Sequence, residues 1–354
     1  NRIHMLKKRI KRILMVLVSL YAVFVMVVLI VRLPSYTIQT SGKLYIVNKL
    51  SRDIQVFDLY TGEEIAEIPI DMQAHEVITT SNENNIIVTD YGDRTSKGNT
   101  IKIINTKTNT LQKTIAIKGG LNANGLVSIL KPNKIGLVDY VSNNVSILNI
   151  ETERIERRIP TEQMKSHLAV MHPKEPLGYV TNMQSNSVSV IDLKTEKIVK
   201  IIPCGLTTES IDITPDGLEV WVTNKNGNSI TVIDTVTNTV LDTLVTGNEP
   251  LKIKFSVDGK YCLVANANDG SISIYDRYSK EQIKTINIPG KHTLTERILY
   301  HTPRPVNILM HPNGSYAFIA NSNASKIEVI DMANFEIVST IGTGKIPDAL
   351  AFIQ

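Results

Sequence analysis

Eight side chains suited to chemistry stand at corresponding places in this sequence. His75, Glu76, Asn124, His167, Glu209, Glu249, Arg304 and Asp348 each lie at or beside the start of a short apolar segment, where Pro250, Pro305 and Pro347 mark the same point in other segments. Imidazoles and carboxylates brought together from separate segments could activate a water, hold a divalent cation or grip a polar ligand. They have no compact metal-ligand spacing, so no metal identity follows from them. The same residues would also serve as the polar lining of a solvated funnel. A second group, His292, Arg297, Tyr300 and His301, sits in one long connection from Pro289 to Arg304. That mixture suits an anionic or aromatic ligand or a protein partner, and equally a solvated loop over the same rim. His172 and His311 fall in Met-His-Pro runs and read as structural.

Acidic and amide residues recur more regularly still. One Asx set is Asn48, Asp90, Asp139, Asn182, Asn224, Asn266 and Asn321; a second is Asp58, Asn105, Asn149, Asp192, Asp234, Asp276 and Asp331. The second set is followed at i+3 by Thr61, Thr108, Thr152, Thr195, Thr237, Ser279 or Asn334. That is a turn signature, in which the Asx oxygen accepts backbone N–H groups ahead of it. Recurrence in every copy assigns these groups to turns rather than to acid–base work.

These positions define seven repeats, spaced mostly 42 to 44 residues apart, with one interval stretched to 55. Each repeat reads as a strand, a tight turn, a second strand ending in Asx, a small polar loop, an alternating third strand, an Asx turn and an outer strand. This is the length and order of a four-stranded propeller blade. The folded region opens on a second strand from Leu44 to Asn48, and Pro347 to Gln354 reads as an unpartnered first strand. Joining the two closes the ring. The expected fold is all-β: a seven-bladed β-propeller of four-stranded antiparallel blades over residues 44–354, closed by N- and C-terminal strands and preceded by one transmembrane helix. Both insertions, from Tyr91 to Thr100 and from Pro289 to Arg304, fall on the channel-mouth face, and that face is where binding residues are expected.

The run Tyr179-Val180-Thr181-Asn182, echoed by Trp221-Val222-Thr223-Asn224, resembles the YVTN β-propeller repeat family over about residues 44 to 354. The departures are Ile87-Val88-Thr89-Asp90 and Gly136-Leu137-Val138-Asp139, where Asp replaces Asn and the leading aromatic is missing. The family is similar to lactonase-type propellers, which implies Glu209, Glu249, His75 and His167 as water-activating groups. It is also similar to cytochrome d1-type and quinoprotein propellers, which implies His167, His75 or His301 as axial ligands of a haem d1 or quinone-type site.

Of the 38 Lys and Arg, seven lie in the first 32 residues, leaving 31 against 34 Asp and Glu in the rest. The basic balance is therefore a targeting signal, and no nucleic-acid partner is expected. Ile13 to Val31 are uncharged, close to the roughly 20 apolar residues that cross a bilayer as a helix. The basic cluster ahead of them predicts a cytoplasmic segment over 1–12, a signal-anchor helix over 13–31, a tether over 32–43 and a propeller outside the cell membrane. Asn1 to His4 precede Met5 and carry no structural weight. Only Cys204 and Cys262 are present, at non-equivalent places, which does not make a disulfide framework. The function expected is a ligand-binding or protein-interaction scaffold in the cell envelope, with a small molecule or an envelope protein as partner. Catalysis and a cofactor are the alternatives.

Overall fold

The computed structural model describes residues 2–30, 35–90, 92, 98–117, 123–129, 133–290 and 302–354; the side chains of 2–3, 27–30 and Asn124 lie outside the description. Among the described residues there are 28 strands, β1–β28 in chain order, and one helix, α1 (Arg2–Ile30). The strands make seven antiparallel four-stranded sheets. Blade 1 joins β28 (Pro347–Ile353) to β1 (Lys43–Asn48) and then to β2 (Asp53–Asp58) and β3 (Glu63–Pro69), so the last described strand, β28, lies inside the first blade. Blades 2 to 7 follow in order, each beginning with its inner strand: β4 (Ala74–Thr79), β8 (Ala123–Ser128), β12 (Ser166–Met171), β16 (Thr208–Ile213), β20 (Pro250–Phe255) and β24 (Pro305–Met310). Each inner strand packs on the next, and β24 meets β28 to complete the ring.

Each member of the first Asx set is the last residue of its blade's second strand, and each member of the second set ends the third strand. The second set works as turn hardware: Asp58 Oδ1 accepts from Tyr60 and Thr61 N–H at 2.8 and 2.9 Å, and Asp192 does the same with Lys194 and Thr195. The first set locks the opposite end. Asn224, fully buried, donates to Ser229 and Thr231 hydroxyls at 3.0 Å and accepts from Gly205 N–H at 3.0 Å. A Cβ on Gly205 would sit 2.7 Å from that amide. This close approach explains the glycine that ends the repeat.

The core is seven wedges, each between one blade and the next. The wedge between blades 1 and 2, for example, holds Tyr45, Val47, Ile54, Ile86 and Val88. The closing pair takes part fully: Leu44, Tyr45, Ile46 and Val47 of β1 are at 0% exposure and pair with Phe352 to Ala349 of β28. Burying each such side chain is worth about 1.5–3 kcal/mol.

The segment expected as a tether is docked from Ser35 onward. Thr340 N–H of β27 (Glu336–Gly342) donates to Ser35 O at 2.9 Å, and Tyr36 donates its hydroxyl to Leu59 O at 2.6 Å. Tyr36 and Ile38 pack on the wedge between blades 7 and 1. His311 sits against Thr40 and Ser41 at the turn after β24, on the face opposite the channel mouth. His172 and His311 are structural as expected, their Nδ1 atoms accepting turn N–H groups. Helix α1 exposes its apolar side chains, among them Leu14, Leu17, Leu20 and Phe24. Among the described residues no helix is long and apolar enough to cross a membrane, so these residues do not meet the expectation of a spanning anchor. The end of the expected span, at Val31, lies outside them.

Asn224→Ala removes a fully buried amide and leaves the half-buried Gly205 N–H without its acceptor, which is expected to cost about 1–3 kcal/mol. Urea denaturation reads this as a lowered midpoint. Gly205→Ala lowers it as well, by pressing on the Asn224 amide.

Candidate functional site

All seven inner strands break register at the same place. Opposite the Asx that ends the second strand, the ladder skips a residue or two after Ala74, Ala123, Ser166, Thr208, Pro250, Pro305 and Pro347. Bulges re-aim side chains and gather next to functional sites. Here the second residue of each inner strand leaves the sheet at the mouth of the channel. In ring order these residues are Asp348, His75, Asn124, His167, Glu209, Leu251 and Val306. Five polar residues thus make one arc and two apolar residues complete it. Lys165, Thr207, Glu249, Arg304 and Ile346 precede their strands with φ between 56° and 62°.

Within the arc the pairs are specific. His75 Nδ1 donates to Asp348 Oδ2 at 2.7 Å, and Lys49 Nζ lies 3.4 Å from the same oxygen. His167 Nδ1 donates to Glu209 O at 3.1 Å, with Glu209 Oε1 at 3.8 Å. That bond leaves His167 Nε2 as the ring acceptor. The two imidazoles stand 6.2 Å apart, centroid to centroid. Gly125 lets β8 come in beside them, since a Cβ there would lie 2.3 Å from His167 O.

One residue deeper, Lys252 of β20 reaches Glu76 of β4 at 3.6 Å. These strands are three places apart in the ring, so the pair crosses the lumen. Below it Lys254 pairs with Asp212 at 3.0 Å. At the rim Arg304 grips Glu249 with two bonds of 2.9 Å, and Lys225 adds a third charge at 3.5 Å. The carboxylate of Glu209 is different. Its Oε2 is buried without a hydrogen-bond partner, and among the described residues no Lys or Arg pairs with it.

Burial pushes the His167 imidazole below its usual range, although Glu209 beside it pulls the other way. It is therefore neutral at pH 7. Burial alone would raise the Asp348 carboxyl, but His75 and Lys49 outweigh it and hold it below the usual carboxylate range. Burial opposes and Arg304 likewise overcomes it at Glu249, which is also held low.

The structure brings together His75, His167, Glu209 and Asp348 as expected from sequence, with Glu76 just below. Glu249 and Arg304 instead occupy each other at the rim. Asn124 is in place on β8, its side chain outside the description, and His292, Arg297, Tyr300 and His301 lie outside the described residues. Sequence reasoning missed Lys252, Lys49 and Asn307, whose Nδ2 donates to Asp348 O at 3.1 Å. Lys252 and Asn307 were within reach of the same alignment, because they occupy the place of Glu76 one residue further along. Among the described residues no three His, Cys, Asp or Glu side chains converge as a metal ion requires.

The Cytochrome D1 heme domain family matches residues 172–309. Among solved structures, the chain is similar to hydrazine synthase of Kuenenia stuttgartiensis at 14% identity and a TM-score of 0.65, over 78% of this chain and 89% of that one. It is also similar to a functionally unknown protein from Desulfotomaculum acetoxidans DSM 771 at 19% identity and a TM-score of 0.71, over 89% and 99% of the two chains. No curated protein matches. At these identities the structural likeness shows the fold. A haem macrocycle does not fit the lumen at the depth of Glu76, where the Glu76–Lys252 pair joins opposite walls.

Both buried groups make stability depend on pH. The His167 imidazole has a lowered folded pKa, so as pH falls below about 6.5 the unfolded chain takes up a proton that the folded one resists, and stability drops. Asp348, also lowered, contributes stability above its unfolded value of about 4, which is lost as pH falls through the folded one. The fall in urea midpoint between about pH 7 and pH 5 is expected to shrink in His167→Gln.

Proposed function

We propose that this chain, a cytochrome d1-like seven-bladed propeller, is a binding module that takes a small ammonium-bearing ligand at its channel mouth. The supporting observation is Glu209. Asp348, Glu76 and Glu249 each have a Lys or Arg within 3.6 Å, whereas among the described residues Glu209 keeps a buried oxygen with no partner. A desolvated carboxylate oxygen left unmatched is costly, and a charged N–H donor is the group that offsets it best. His167 Nε2 offers a second acceptor, and Leu251 and Val306 supply an apolar flank for methylene groups. The ligand's ammonium thus gives Glu209 the cationic partner that the described residues do not supply.

Isothermal titration with putrescine and with n-butylammonium tests this. Saturable binding that weakens about tenfold or more in Glu209→Gln is expected. Absence of amine binding, or equal binding in that variant, contradicts it.

The reading includes attachment to a cell membrane through α1, with the propeller on the outer side. The exposed apolar face of α1 and the basic residues ahead of it support this. Because Thr40 and Ser41 sit against His311 on the face opposite the mouth, the mouth would point away from the lipid. Full-length chain is expected in the membrane fraction after an alkaline wash, and chain lacking residues 1–34 in the supernatant.

A haem d1-type cofactor is the second reading, favoured by the family match over 172–309. His75 and His167, whose Nδ1 atoms are anchored, would hold such a group through their Nε2 atoms, and it would supply redox chemistry there. A Soret absorption band in the purified protein, lost in His167→Ala, would move the assignment to it.

A further inference from the structure

Every interface between blades is filled from one position in the second strand of the preceding blade, with a single exception. Tyr45, Ile87, Tyr179, Trp221, Leu263 and Phe318 hold this position in blades 1, 2, 4, 5, 6 and 7, all at 0% exposure. The aromatic ones cross to the next blade. Tyr45 donates its hydroxyl to Asn109 Oδ1 at 2.6 Å, Tyr179 donates to Asn238 Oδ1 at 3.1 Å, and Trp221 meets Phe255 edge-on at 5.3 Å.

Blade 3 has Gly136 there, in the same register, between Val127 and Ile147. The consequence is visible in the packing. The residue facing this position on the third strand is buried in the other six blades, whereas Ile147 is half-buried. Among the described residues the wedge between blades 3 and 4 has the fewest buried members of the seven and no aromatic ring, and Met171 and Leu193 are only partly covered. Val127 Cγ1 occupies the space directly over Gly136, and further along the same wedge lies a cleft of about 750 Å³ on the face opposite the channel mouth, walled by Ile147, Ile159, Met171 and Leu193. Ligand pockets are typically about 300–1,000 Å³. At its edge Glu196 stands in the turn place held by Asn109 and Asn238, with φ of 59° against their 52° and 53°. Arg157 Nε donates to it at 3.2 Å.

We propose that this cleft is a second ligand site, distinct from the mouth, that takes a free small phenol. The ring fills the space that Tyr45 and Tyr179 fill elsewhere, and the phenolic hydroxyl donates to the Glu196 carboxylate as theirs donate to Asn109 and Asn238. Lys174 and Lys194, which have no ion-pair partner among the described residues, flank the opening.

The test is titration of the full chain with p-cresol, toluene and N-acetyltyrosine amide, followed by calorimetry and by the Met171 methyl signal in NMR spectra. Saturable p-cresol binding that shifts this signal is expected, with toluene about fivefold weaker for want of the hydroxyl. Gly136→Tyr needs room, because a Cβ there would meet Val127 Cγ1 at 2.5 Å, so it is paired with Val127→Ala. That double variant, and independently Leu193→Trp, are expected to weaken p-cresol about tenfold or more. Absence of p-cresol binding, toluene binding equally well, or binding that survives in whichever filled variant folds overturns the proposal. Tighter binding of the capped tyrosine than of p-cresol also overturns it, in favour of a protein segment as occupant.

Discussion

The pairing of β1 with β28 is the constraint on which the rest of the molecule depends. Strands from the two ends of the propeller share one sheet, with Leu44 opposite Phe352 and Val47 opposite Ala349. Without that ladder the first blade lacks its inner strand, and β24 and β4 lose the neighbour that links them. The candidate site inherits the same dependence, since the His75–Asp348 bond joins residues 273 apart in sequence. Closing the ring is thus both how the fold avoids free sheet edges and how its mouth acquires one of its carboxylates.

Within the closed ring, polar groups are matched by repetition at the turns and by individual pairs at the centre. The Asx that ends each third strand accepts backbone N–H groups locally, and Asn182, Asn224 and Asn266 of the second strands hold hydroxyls of the third. At the centre no repeat can supply the match, so His75 with Asp348, Glu76 with Lys252 and Asp212 with Lys254 pair across strands. Low-dielectric surroundings make an unmatched carboxylate oxygen such as Glu209 Oε2 costly. Among the described residues Glu209 is the mouth carboxylate that no Lys or Arg pairs, and that is the structural reason to assign the mouth a ligand.

The periodic part of the fold was legible in the sequence because it rests on local chemistry. Both Asx sets end the strands they were expected to end, and the strand order with its terminal closure follows from the register of Leu44 to Asn48 and Pro347 to Gln354. The arc of His75, His167, Glu209 and Asp348 was legible by aligning repeats. Partners across the lumen were not, because Lys252 and Glu76 meet only through the diameter of the ring. Glu249 and Arg304 read as site residues but neutralise each other across a blade boundary. The docking of 35–41 left no periodic trace, and the missing aromatic at Gly136 was visible as a departure without its consequence, a cleft that depends on the neighbouring blade.

A crystal structure of the full chain soaked in methylammonium examines the unmatched carboxylate directly. The account predicts an ammonium nitrogen about 2.7–3.2 Å from Glu209 Oε2, with Lys252 still on Glu76. A lysine or arginine of the chain itself turned onto Glu209 Oε2, with no bound cation, would contradict it.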